Sequence, residues 1–192
     1  MRKELLFHTG RTVVEVARFS RSPGHPRLPW RDGSRVGAVI SPCGRYRYAL
    51  WRRWHSDGAV PSSLWPVFVM LNPSTADARM DDATIRKVRA YCTAWGYFQV
   101  LVVNLFAWRA TDPRDLKLAL DPVGPDNDAW LSRAASDADL VLCAWGTKGG
   151  DRALEVRDLL SAPLEVLKLT KDGHPAHPLY LRGDLTPAAW AS

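Results

Sequence analysis

The residues best suited to chemistry stand just after short apolar runs. Asn72 directly follows Pro66–Leu71 and precedes Pro73, which biases Asn72 away from helix and fixes how the chain leaves the strand. A carboxamide there can position a water or read an amide edge of a base; the plain alternative is an Asx-turn. His174 and His177 lie in Gly173-His-Pro-Ala-His-Pro178, a loop stiffened by its prolines. A neutral imidazole held in that way can donate to developing negative charge. For His174 an ordinary loop histidine is the preferred reading. Trp108 and Trp145 stand at strand ends, where a base can stack. Other chemistries are set aside. Gly146, Gly149 and Gly150 match neither G-x-G-x-x-G nor G-x-x-x-x-G-K-[ST], and there is no G-x-S-x-G or H-E-x-x-H. Cys43, Cys92 and Cys143 lie far apart without metal-ligand spacing, so no metal and no cofactor is expected.

Such residues need a scaffold, and from Pro66 onward the chain alternates strand and helix. Apolar runs place strands at 66–71, 98–104, 139–144 and 164–169. Between them the pattern predicts helices over Asp81–Trp95, Pro113–Leu120, Pro125–Ala135 and Gly149–Leu160. Asp81 or Asp82 can cap the first, and Gly96 can stop it. Buried strands joined by crossover helices give an α/β fold, a three-layer α/β/α sandwich around a four-stranded, mostly parallel sheet. In such sheets the site lies outside the carboxyl ends of the strands. Each of the four strands ends in polar or backbone-permissive residues, so Asn72, Asn104, Arg109 and His177 are expected to line one pocket.

Residues 1–55 read differently, as an antiparallel β-rich segment that extends or caps the main sheet. Strands are expected at Thr12–Ala17 and Arg35–Ile40, then a turn at Ser41–Gly44. Tyr46–Leu50 follows with period two, one face apolar and one basic. This segment holds twelve Lys and Arg against three acids, a net of +9, whereas residues 56–192 carry −3. Eleven of the twelve are Arg, which suits planar contacts to phosphate, with Arg45, Arg47, Arg52 and Arg53 as the expected nucleic-acid face. A solubilising surface is the competing explanation. At 192 residues, 46% of them hydrophobic, the chain is expected to form a single domain, residues 66–182 being its α/β core. No apolar run is long enough to span a bilayer, and no signal region is evident, so a cytoplasmic protein without membrane contact or obligate protein partner is expected.

The series Asn72-Pro-Ser-Thr-Ala-Asp77, Asp81-Asp-Ala-Thr-Ile-Arg86, Asn104-Leu-Phe, Arg109-Ala-Thr-Asp-Pro113 and His177-Pro-Leu-Tyr180 resembles a bacterial and phage family known as domain of unknown function 1643. The likeness covers about residues 36–182 and implies no activity. A more distant resemblance is to the uracil-DNA glycosylase superfamily, in the order of an N-P-small motif after one strand, N-L at the end of another and H-P after the last. It implies that Asn72 positions water, that Pro73 and Ser74 shape that loop, and that His177 stabilises the departing base. Ser74 stands where Gly is usual, Leu179-Tyr180 follows where a small residue is usual, and His174-Pro175 is a competing alignment. The implied activity is cleavage of the N-glycosidic bond of a modified or damaged base, in DNA repair or phage-related base modification. A base flipped out of a duplex would stack on Trp108 or Tyr180, with Asp82, Asn104 and Arg109 also contacting substrate. Nearby Asp77, Asp81 and Asp82 can supply a carboxylate. The implied partner is nucleic acid, DNA ahead of RNA, or a free nucleotide. The alternatives are a non-catalytic nucleic-acid or nucleotide binder on the same fold and a base-modification enzyme.

Overall fold

Runs of β-branched and apolar residues with no polar face form the centre of one mixed sheet. A computed structural model describes residues 29–31, 34–54, 65–74 and 81–190. The sheet in these residues has seven strands: β1 (Val36–Ile40), β2 (Arg47–Arg53), β3 (Pro66–Met70), β4 (Gln99–Asn104), β5 (Leu140–Cys143), β6 (Leu164–Val166) and β7 (Ala188–Ala189). Their order is β1-β2-β4-β3-β5-β6-β7. The expected four strands are β3, β4, β5 and β6, which pair in parallel. The sheet is wider than four strands because β2 adds antiparallel to β4, β1 to β2, and the short β7 to β6. The N-terminal part of the described chain thus extends the main sheet. The expected strand at Thr12–Ala17 lies outside the described residues.

Alternation along the buried strands sends neighbouring side chains to opposite sides. Val67, Val69, Leu101, Val103 and Val141 share a core with Trp130 and Leu131 of α2 (Asn127–Ser136) and Val156 of α3 (Gly150–Leu159). Phe68, Met70, Val100, Val102 and Leu142 share another with Ile85, Val88, Tyr91 and Cys92 of α1 (Ala83–Ala94). Asp82 caps α1 by accepting from the Ile85 amide at 2.8 Å, and Gly96 follows its end at φ +84°, where a side chain would be strained. The helix expected at 113–120 is a 3₁₀ segment, Pro113–Leu118, opened by the Asp112 side chain accepting from the Arg114 amide.

Two features position the strand ends. The first is an irregularity in the β1–β2 pairing. Val39 faces Ala49 but Ile40 faces Arg47, so Tyr48 is an extra residue, a β-bulge. Tyr48 joins Ala49 and Trp51 in the core shared with α2 and α3. The period-two reading of Tyr46–Leu50 is therefore wrong, and Arg47 lines a cavity with Met70, Val102 and Ile85 of the α1 side. The second is a clamp on the end of β4. The fully buried Asn127 donates from Nδ2 to the carbonyls of Asn104 and Leu105, at 3.0 and 2.9 Å. The Arg152 Nε also donates to the Leu105 carbonyl, at 3.0 Å, while its guanidinium pairs with Asp128 and Glu155.

Candidate functional site

The ends of all four parallel strands meet at a cavity of about 540 Å³. β3 contributes Asn72 and Ser74, β4 contributes Asn104, the β5 exit contributes Gly146–Lys148, and the segment after β6 contributes Thr170 and His177. This is the rim that an open parallel sheet offers a ligand. Met70, Val102, Arg47 and Asn104 are buried and form its floor; Lys148 and Tyr180 are exposed and stand at its mouth.

His177 caps the 3₁₀ turn Pro178–Tyr180, its Nδ1 accepting from the Leu179 amide at 3.3 Å. A nitrogen that accepts carries no proton, so in the neutral ring the proton sits on Nε2, which is the remaining donor. Burial holds the His177 pKa below its ordinary value, against the opposing pull of Asp82. The ring lies 5.7 Å from that of Tyr180, which is 84% exposed. His174 is absent from the cavity lining; its amide donates to Thr170 Oγ1 at 3.1 Å.

Asn72 lines the cavity and bridges two loops. Its Nδ2 donates to the carbonyls of Pro73, at 3.1 Å, and Ala110, at 2.9 Å, and its Oδ1 accepts from no described residue. Pro73 itself is buried behind the lining, its carbonyl also accepting from the Ala110 amide at 3.0 Å. Asp82 is the acidic side chain of the lining; besides capping α1 it accepts from Ser74 Oγ at 3.3 Å. Asn104 ends β4 at 2% exposure, its Nδ2 lacking a partner among the described residues.

Two residues expected in the pocket stand elsewhere. Arg109 turns away to donate to the Gly44 carbonyl at 3.0 Å, tying the β4 exit to the turn between β1 and β2. Trp108 meets Tyr46 edge-on at 5.6 Å, with the Arg45 guanidinium 6.0 Å from its ring, and so belongs to that same turn. Asp77 lies outside the described residues. Asp81 faces Arg52 at 2.7 Å and also pairs with Arg89. Burial raises the Asp81 pKa, but the two guanidinium groups outweigh it and hold the carboxyl below its ordinary value.

The expected phosphate-tracking face does not form as expected. Arg45 is exposed, but Arg47 and Arg52 are buried, at 6% and 3% exposure. Arg53 lies over the Trp65 ring at 5.3 Å and donates to Gln99 at 3.0 Å. The cause lies on the face of the sheet rather than its edges: the bulge at Tyr48 turns Arg47 into the cavity, and Arg52 on β2 is covered by Asp81 at the start of α1. Arg47 instead belongs to the cavity. Sequence reasoning also passed over Thr111 and Thr170 as individual lining residues. A charge inside the otherwise apolar Tyr46–Trp51 stretch was the available signal for Arg47. Among the described residues no three His, Cys, Asp or Glu side chains gather as a metal site, and no helix is long and apolar enough to cross a membrane.

A family model described as a protein of unknown function (DUF1643) matches residues 47–179. No curated protein and no solved structure matches the chain.

Proposed function

The chain belongs to the DUF1643 family, whose description assigns no activity, and from that premise we propose that the cavity cleaves the N-glycosidic bond of a modified or damaged base. The observation that carries this reading is the state of His177. It lines the same cavity as Asn72, its Nδ1 accepts from the Leu179 amide, and burial lowers its pKa and so favours the neutral ring with Nε2 as donor. Cleavage of an N-glycoside breaks the bond from the anomeric carbon to the base. The electron pair leaves with the base while water adds to the sugar. A fixed Nε2–H donor stabilises the departing anion, and Asn72 Oδ1 or the Asp82 carboxylate holds the water. The helices on either side of the parallel strands fit a three-layer α/β/α sandwich of the uracil-DNA glycosylase kind, which is the setting of this chemistry in the resemblance noted above.

A second reading has its own support. Asn72 is engaged with two backbone carbonyls and Asp82 with a helix cap, so no lining carboxylate is devoted to water. On that ground the cavity binds a nucleotide or nucleic acid without cleaving it. Single-turnover incubation with oligonucleotides and nucleosides carrying uracil, hypoxanthine, hydroxymethyluracil or deazaguanine, scored for free base, separates the two. Under the first reading base is released, and His177→Ala slows release about a hundred- to a thousandfold with little loss of binding. Absence of release from every substrate leaves the binding reading.

A further inference from the structure

The floor of the cavity carries a charge that nothing in the described protein neutralises. Arg47 is buried and makes no ion pair among the described residues, and its Nε lacks a hydrogen-bond partner. Asn104, which lines the same cavity, likewise has a buried Nδ2 with no partner among the described residues. The charges that act on Arg47 are Arg109 and Arg52, which repel it, and Asp82, which attracts it but already accepts from the Ile85 amide and from Ser74. Burial and these two arginines lower the Arg47 pKa to about 10, still far above neutrality, so the group remains a cation. A buried cation without a partner is costly, and an apolar residue in its place would remove that cost.

We infer that Arg47 and Asn104 form an oxyanion subsite on the cavity floor, which takes the terminal phosphate or carboxylate of a small ligand. Both groups offer donors, and a guanidinium fork matches two oxygens of one anion. Depth decides between a terminal and an internal anion. The floor residues are buried while Tyr180 and Lys148 stand exposed at the mouth. A phosphodiester inside a polymer would have to enter and leave through that mouth, whereas a terminal group reaches the floor alone. The ligand class is therefore one that ends in an oxyanion, such as a nucleoside monophosphate or a carboxylate-bearing heterocycle. This deepens the reading of the cavity as a nucleotide site and rests on it, but does not need bond cleavage.

The test compares thermal midpoints of the full chain in titrations with inorganic phosphate, uridine 5′-monophosphate, uridine and the pyrimidine carboxylate orotate. The anions raise the wild-type midpoint in a concentration-dependent way and uridine does so less. Phosphate compounds alone, or orotate alone, identify which oxyanion the floor takes. Arg47→Met weakens anion binding about 10- to 100-fold. Asn104→Asp, nearly the same shape, places a carboxylate on the floor and removes anion binding likewise. It decides the matter if Arg47→Met does not fold. A midpoint that no anion, phosphate or carboxylate, shifts more than uridine does, or unchanged anion affinity in Asn104→Asp, overturns the subsite. Anion binding without base release keeps the subsite and sinks cleavage; base release with no dependence on Arg47 does the reverse.

Discussion

Arg47 and Arg52 stand on one strand, five residues apart, both buried, and they keep opposite company. Arg52 donates to Asp81 at 2.7 Å and to the Trp51 carbonyl at 2.8 Å, and Asp81 also holds Arg89 from α1. Arg47 has no such carboxylate and opens onto a cavity. Burial of a cation therefore does not by itself distinguish a structural role from a ligand-binding one. Its partners do: Arg52 fastens β2 to the start of α1, and Arg47 is positioned for something that arrives later.

The sharpest way to break this contrast is to remove each charge in turn. Arg52→Met is expected to destabilise the fold by about 3 kcal/mol, since it leaves a partly buried Asp81 with only Arg89. Urea unfolding measures it, and a loss below about 1 kcal/mol would make the two arginines alike. Asn127→Ala should cost about 2 kcal/mol, because the Asn104 carbonyl loses its side-chain donor and the Leu105 carbonyl keeps only Arg152. Arg47→Met should act in the other direction without ligand, raising stability by about 1 kcal/mol as an unmatched charge leaves the interior. Destabilisation comparable to that of Arg52→Met would assign Arg47 a structural role.

His177 sharpens the contrast through pH, since Arg47 keeps its charge throughout the range in which the histidine titrates. The folded pKa of His177 lies below the ordinary 6.5, so the unfolded chain binds the proton more tightly. The stability that neutral His177 contributes is full above pH 6.5 and is lost as pH falls through the folded value. Unfolding of the wild type and His177→Gln, followed from pH 8 to 5.5, should show the wild type losing more. Parallel pH curves would mean that the ring is not held neutral. The smallest effect is expected at His174, outside the cavity lining. His174→Ala should change stability by less than about 0.5 kcal/mol and leave base release or binding unaltered.

What the sequence disclosed was local or periodic. Uninterrupted runs such as Pro66–Leu71 and Asp139–Ala144 have only one comfortable place, the middle of a parallel sheet, and their polar exits follow from that. A cap at Asp81 or Asp82 and a stop at Gly96 were legible because a helix needs an acceptor at its start and a left-handed residue after its end; the structure selects Asp82. Arg47 was misread because its direction depends on the bulge at Tyr48, a matter of pairing with β1 rather than of composition. Trp108 and Arg109 were misplaced for a related reason. The β4 exit returns to the β1–β2 turn, through Tyr46–Trp108 pairing and the Arg109 amide on the Arg45 carbonyl, a contact between distant segments. The short β7 has no pattern of its own and exists through its pairing with β6.

The clamp from Asn127 and Arg152 on the last carbonyls of β4 has a thermodynamic consequence for whatever enters. Asn104 sits at the cavity floor; its carbonyl is tied to Asn127, and that of the following Leu105 to Asn127 and Arg152, both from the far side of the sheet. The conformational entropy of that strand end is surrendered when the chain folds rather than when a guest binds. A ligand of the right shape then meets donors already in place, and little of its binding free energy goes to ordering the floor. A guest of the wrong shape finds backbone that cannot shift to receive it, so the same two side chains that favour affinity also set a narrow tolerance.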